Sequence, residues 1–255
     1  MPAQLNIIGL SGVPVVQPGD DLAAITLAAF VATKLAPEDG DVVVLAQKIV
    51  SKSEGRFVEV GNVTPSERAI ALAAETQKDP RFVEIVLSES RRIVRHRPNL
   101  IVAEHRLGFV MANAGIDHSN VGPDDGKERV LLLPRDPDAS ALALQQQLIA
   151  RTKKRLAIII SDSFGRPWRR GTAGIAIGVA GLPSVIDWRG QPDLFGRKLE
   201  VTETGFADEI AAAASLVQGQ AAEATPIVVV RGLSWSAPDA PAAAIVRPPE
   251  HDLFR

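Results

Sequence analysis

The chain has 255 residues and is 46% hydrophobic, enough for a substantial core, and its 28 Lys and Arg against 30 Asp and Glu leave a formal net charge of -2. That balance excludes a bulk electrostatic case for nucleic acid or an anionic membrane surface as partner. With no Cys at all, disulfides, thiolate-held metals and cysteine nucleophiles are excluded as well. The N-terminal MPAQLNIIGLSGVPVVQPGDD has no basic signal region, and nowhere do 18 apolar residues follow one another, so a cytoplasmic protein is expected.

Residues 5–8 read as a short strand, followed by the turn Gly9-Leu10-Ser11-Gly12-Val13-Pro14. Its backbone amides suit phosphate, but the glycine spacing matches no specific nucleotide loop, and the local sequence favours a loop crossing the core. Asp20 or Asp21 caps a helix reaching Leu35. Residues 41–46, DVVVLA, form a compact buried strand that delivers Gln47, Lys48, Ser51 and Lys52 at its end. The two lysines either meet phosphate charge or face solvent.

Thr64-Pro65-Ser66-Glu67 has the pattern of a helix start, with Thr64 as cap and a helix through Ala74. A second helix is predicted from Asp79-Pro80 to about Ile93, with Arg91, Arg92, Arg95, His96 and Arg97 as a basic run from its last turn onward. Residues 100–103 and 107–112 resemble paired strands, the second leading into NAGIDHSN. In that turn Asp117 is a candidate ligand for a hard cation and Asn120 a candidate contact to nucleotide or phosphate, with local Asx-turn bonding as the competing explanation.

Pro134-Arg135-Asp136-Pro137-Asp138 caps a helix over 139–150. Next comes LAIIISDSFGRPWRR, residues 156–170, in which five apolar residues give way abruptly to Ser161, Asp162 and Ser163. Gly165 and Pro167 punctuate a turn, after which Trp168, Arg169 and Arg170 set an aromatic surface and two permanent cations near a carboxylate and two hydroxyls. Residues 172–182 are small and apolar, as in a close-packed strand, and residues 199–204 alternate like another. Asp208 and Glu209 open a helix through Val217, where their charge favours the N-terminus and can also approach a cation. Residues 226–232 supply a short core strand, and the tail after Leu233 has weak periodicity.

Short sheets alternating with moderate helices indicate a mixed α+β fold rather than a doubly wound Rossmann sheet. No Walker A, HExxH or GxSxG sequence is present. The scattered Asp, Ser, Asn, Lys and Arg residues instead fit charge positioning around polyphosphate and a hard cation.

The ordered set IIGLSGVP, DGDVVVLAQKIVSKSEGR, NAGIDHSNV, ISDSFGRPWRRG, DLFGRKLEVTE and PIVVVRGL resembles the coenzyme F-420-0:gamma-glutamyl ligase family, from about Leu5 to Leu233. AGIDHSN and SDSFGRPWRRG are the most specific pieces, because several polar positions recur in order with their flanking core segments. The resemblance implies the mixed-sheet ligase fold of that type, with a ligase domain over 1–233, as one unit or two interlocked lobes, and a C-terminal extension over 234–255. It also implies the single-domain form, without the nitroreductase-like domain of fused bacterial relatives. The implied activity is GTP-dependent addition of L-glutamate to the phospholactyl side chain of a deazaflavin precursor through an acyl phosphate, with further gamma-glutamyl additions open. Mg2+ or Mn2+, room for a monovalent cation, and a homodimer are implied with it.

On the matching positions, Leu10, Ser11, Gly12, Val13, Gln47 and Lys52 would cradle nucleotide, and Asn120 would position GTP. Asp117 and Asp162 would hold metal, with Ser163 assisting through its hydroxyl and Glu209 as a further candidate. Lys52, Asp162 and Arg169 form the implied catalytic set, and Arg166 and Arg170 join Arg169 as candidates for a substrate carboxylate or phosphate. The chain departs from the family pattern at Gln47, where a small hydroxyl residue is common, and at Ser11-Gly12, where Pro and an acid are usual. The alternative is a non-catalytic nucleotide-binding regulatory or scaffold protein that keeps the pocket.

Overall fold

The computed structural model describes residues 4–122 and 126–253. In chain order its elements are β1 (Asn6–Gly9), α1 (Leu22–Ala32), β2 (Val42–Ala46), α2 (Gln47–Ser53), β3 (Phe57–Glu59), α3 (Glu67–Thr76) and α4 (Pro80–Ser88). Then follow β4 (Ser90–Arg97), β5 (Leu100–His105), β6 (Val110–Ala112), β7 (Arg129–Leu131), α5 (Pro137–Thr152), β8 (Ala157–Arg166) and β9 (Arg169–Ala180). The chain closes with β10 (Ile186–Asp187), β11 (Glu203–Thr204), α6 (Phe206–Gln218) and β12 (Ile227–Arg231).

The long apolar runs become the central sheet, ordered β1-β12-β2-β8-β9. Only β2 and β8 pair in parallel; every other neighbour in that sheet is antiparallel. The strands read as unbroken Val and Ile because both faces are covered. Val43, Leu45, Ile158, Ile160, Ile227 and Val229 meet α1, α2 and α5, while Val42, Val44, Ile159, Val228 and Val230 meet α6. A third core joins α3 and α4 to β5 through Ala73, Phe82, Val83, Val86, Ile101 and Ala103. With further small sheets β4-β5-β6, β3-β7 and β10-β11, the architecture is mixed α+β and not a Rossmann fold.

Three sequence expectations shift. The cap of α3 is Ser66, whose hydroxyl accepts from the Ala69 amide, rather than Thr64. The Glu84 carboxylate fixes that choice by accepting from both the Ser66 amide and its hydroxyl. The basic run lies on a strand and not at a helix end: α4 stops at Ser88, and β4 pairs with β5 from Ser90 to Arg97. A waiting partner strand, together with β-branched Ile93 and Val94, outweighs helical continuation. Of residues 199–204 only Glu203 and Thr204 pair, with Asp187 and Ile186.

The described part of the segment after Leu233 folds back onto the main sheet. Trp235 packs on Phe206 with ring centroids 6.0 Å apart, and Ala242 is buried. Asp138, in the first turn of α5, accepts from the amides of Ala242 and Ala243. Phe254 and Arg255, at the end of the expected extension, lie outside the described residues. Among the described residues no helix is long and apolar enough to cross a membrane.

Candidate active site

Strand direction gathers the candidate residues at one end of the central sheet. β1, β2 and β8 run the same way, so the Leu10 turn, the start of α2 and the Ser161-Asp162-Ser163 segment emerge together. Leu10 donates from its amide to the Ile227 carbonyl, Ala46 donates to the neighbouring Pro226 carbonyl, and Ala46 sits opposite Ser161. Asp117 arrives from the other side, on the turn after β6. Asn113, Ala114 and Gly115 there take three successive left-handed conformations, and Asp117 exchanges backbone hydrogen bonds with Leu131.

α2 meets that turn with two stripes set by its four-residue spacing. In the first, buried Ser51 donates to Gln47 Oε1 at 2.8 Å, which orients the amide so that Gln47 Nε2 donates to Asp117 Oδ2 at 2.5 Å. In the second, Lys48 Nζ lies 3.3 Å from Asp117 Oδ1 and donates to Ser119 Oγ at 3.3 Å. Lys52, one turn on, is half-buried, and desolvation followed by repulsion from Lys48 holds its ammonium below the ordinary range.

Alternation along β8 divides its polar residues between two faces. Ile160, Asp162 and Phe164 share the face of α1, α2 and α5, whereas Ser161 and Ser163 point toward the end of α6. Asp162 keeps some solvent contact but sits in a low-dielectric setting. Desolvation first, and the Asp117 charge second, raise its pKa to about 7, against the Ser163 amide and Lys48, which favour the ionised form. Desolvation also raises Asp117, opposed by Lys48, Gln47 and His118. The site is thus a pair of coupled carboxylates with Lys48 as the neighbouring cation.

Other expected residues lie around this pair. The Ser163 hydroxyl donates to Gln220 Oε1 at 2.9 Å, on the opposite face of the strand from Asp162, and its amide donates to Asp162 Oδ1. Asn120, in a left-handed conformation, donates to the Ala221 carbonyl at 3.1 Å, beside Gln220. Ser11 donates from its amide to Thr33 Oγ1; Leu10 is buried, Val13 packs against the core, and Gly12 has φ +76°. Arg166 and Arg169 face each other across the β8–β9 hairpin, with Arg169 and Arg170 exposed and Arg166 half-buried. Glu209 is exposed in the first turn of α6. Among the described residues it forms no cluster of three acidic or imidazole ligands with Asp117 and Asp162.

The all-oxygen donor set of Asp117 and Asp162 suits a hard divalent ion, which retains water and phosphate oxygens beside one or two carboxylates. Their mutual repulsion marks a position where added positive charge would be stabilised. Gln220 is the residue that sequence reasoning missed, and Lys48, raised there as a candidate for phosphate charge, was not carried into the implied site. For Lys48 the signal was its spacing from Lys52, which places both cations on one helical face. No local signal marks Gln220, because its partner is distant in sequence.

A family profile described as F420-0:Gamma-glutamyl ligase matches residues 12–232. The chain is 47% identical to the coenzyme F420:L-glutamate ligase of Methanothermobacter thermautotrophicus, covering 98% of this chain and 99% of the relative. It is 44% identical to that of Methanopyrus kandleri, covering 94% and 93%. It is 40% identical to that of Methanocaldococcus jannaschii, covering 99% and 97%. Mixed-sheet architecture, the paired carboxylates beside a lysine-bearing helix, and similarity along nearly the whole length converge: the chain belongs to the F420-0:gamma-glutamyl ligase family.

Proposed function

We propose that this chain is a GTP-dependent ligase that joins L-glutamate to the side-chain carboxylate of the deazaflavin coenzyme F-420-0, with further gamma-glutamyl additions. The observation that carries the reading is the Asp117–Asp162 pair facing Lys48 and Gln47 at the end of the sheet. Near-full-length similarity to relatives bearing that activity in their names supports it.

In the proposed reaction an acceptor carboxylate oxygen attacks the terminal phosphorus of GTP, the bond to the bridging oxygen breaks, and GDP leaves. The amine of glutamate then attacks the acyl carbon, loses a proton, and inorganic phosphate departs. Mg2+ or Mn2+, when bound, would neutralise phosphate oxygens during the first step. Asp117 and Asp162 are the proposed ligands; Ser163 assists through its amide, which donates to Asp162 Oδ1, rather than through its hydroxyl, and Glu209 acts from outside the carboxylate pair. Lys48 and Lys52 hold phosphate charge along α2, and the turn of Leu10, Ser11, Gly12 and Val13 with Gln47 and Asn120 cradles the nucleotide. Arg169, with Arg166 and Arg170, meets the anionic acceptor. We further propose a cytoplasmic homodimer, with the ligase unit over 1–233 and an extension over 234–255.

The test is an assay of purified protein with GTP, Mg2+ or Mn2+, L-glutamate and the deazaflavin acceptor, read by mass of product and release of GDP. Glutamylated product that disappears with chelator is expected. Asp162→Ala is expected to lower turnover by at least about 10²-fold, the scale of losing one preorganised electrostatic group. Nucleotide binding without turnover on any phosphorylated carboxylate acceptor would favour the regulatory alternative.

A further inference from the structure

A cleft of about 590 Å3 opens between α3 and β4, lined by Arg68, Leu72 and Glu75 of the helix and Ile93, Arg95 and His96 of the strand. It shares no residue with the carboxylate site. Three features of it bear on what it can hold.

The first is uncompensated charge. Most arginines of this region meet an acid: Arg56 and Arg106 share Glu89, Arg91 and Arg92 share Glu104, Arg81 pairs with Asp79, and Arg129 with Glu59. Arg68 and Arg95 line the same cleft with no carboxylate partner among the described residues. The cleft also holds one acid, Glu75, whose carboxylate lies 3.4 Å from His96 Nε2, so the two arginines outnumber it.

The second is backbone. Among the described residues β4 pairs only with β5, and with register shifts between Ser90 and Arg92 and between Ile93 and Arg95 its outer edge still presents amides and carbonyls to an extended chain.

The third is position. Arg95 lies opposite Val102, and Val102 opposite Ala112, which immediately precedes the turn that delivers Asp117. About 10 Å of sheet, two strand spacings, therefore separates Arg95 from the segment feeding the active site.

Resting on the ligase reading above, we propose that this cleft holds the oligo-gamma-glutamyl tail of the substrate or product while its free end is extended. Each gamma-linked unit carries one amide and one free α-carboxylate. The amides suit the open edge of β4, and the carboxylates suit Arg68 and Arg95. The cleft thereby favours acceptors that already carry glutamate and sets how long the tail grows.

The experiment measures binding of fluorophore-labelled tri-gamma-L-glutamate to the full chain by anisotropy. Wild type is expected to bind it, more weakly as salt rises. The Arg68→Gln, Arg95→Gln double variant is expected to weaken binding about tenfold or more, equivalent to about 1.4 kcal/mol. Arg155→Gln, which removes a charge elsewhere, is expected to change it less than about twofold, as a remote exposed charge should. In the ligase assay the double variant is expected to retain the first addition and to make shorter tails. No binding by wild type, equal binding by the folded double variant, or equally tight binding of α-linked triglutamate would overturn the proposal. A chain that binds the trimer through these arginines yet adds no first glutamate would refute the ligase reading while leaving the cleft assigned.

Discussion

Asp162 gives up its proton only near pH 7, because burial and the neighbouring Asp117 both penalise its charge. Below the ordinary carboxylate value of 3.8, folded and unfolded chains are both protonated at this residue and the penalty vanishes. Between about 4 and about 7 the folded state binds the extra proton, so the residue's contribution to stability falls as pH rises, and above about 7 the full penalty applies. In metal-free protein, Asp162→Asn is therefore expected to raise the melting temperature at pH 8 by about 2–4 °C, the shift that about 1 kcal/mol makes in a chain of this size. The gain should shrink toward pH 4.5. Thermal unfolding across that range measures it, and a gain independent of pH would remove the coupled-carboxylate account. The candidate acids were legible as residue types in AGIDHSN and SDSFG. Their coupling was not, since 45 positions separate them and only the fold sets one against the other.

At the scale of elements, two glycines decide how closely helices lie on β9. A Cβ on Gly174 would come 2.3 Å from the Ala211 carbonyl oxygen of α6, and one on Gly178 would come 2.3 Å from the Pro137 carbonyl oxygen of α5. Neither obstacle is a flexible side chain, so each helix backbone would have to move. Gly174→Ala is expected to destabilise by about 1–3 kcal/mol, the usual range for overpacking, and to disturb the site because α6 leads to Gln220. Chemical denaturation measures it, and an unchanged midpoint would mean that α6 can shift freely. The small-residue run 172–182 announced close packing without saying against what. By contrast, the strands at 41–46 and 226–232 were legible because a buried strand needs no alternation. β4 was not, because its arginines and short apolar pair carry no period that outweighs the helix before it.

For the whole molecule, large apolar side chains stand exposed beyond the site: Trp168 at 89%, Leu194 at 93%, Phe195 at 91% and Val201 at 85%. They follow from the hairpin tip and the loop between β10 and β11, and β9 is an edge of the central sheet. Such a surface fits the proposed homodimer. Light scattering is expected to give twice the chain mass, and Leu194→Ser with Phe195→Ser to shift the population to single chains at micromolar concentration. A wild-type protein of single-chain mass would sink the dimer.

The chain's residues by themselves determined the composition class, the buried strands, most helix starts and the ordered motifs that mark the family. These depend on local patterns of burial, capping and spacing, which a linear chain carries. Tertiary structure alone decided that three parallel-running strands end together, and that Asp162 turns toward Asp117 and Lys48 while Ser163 turns toward α6. It alone set Arg68 of α3 and Arg95 of the edge strand β4 around one cleft. The reason is that charge acts through space: a pKa or an ion site depends on distances between segments far apart in sequence, and packing sets those distances.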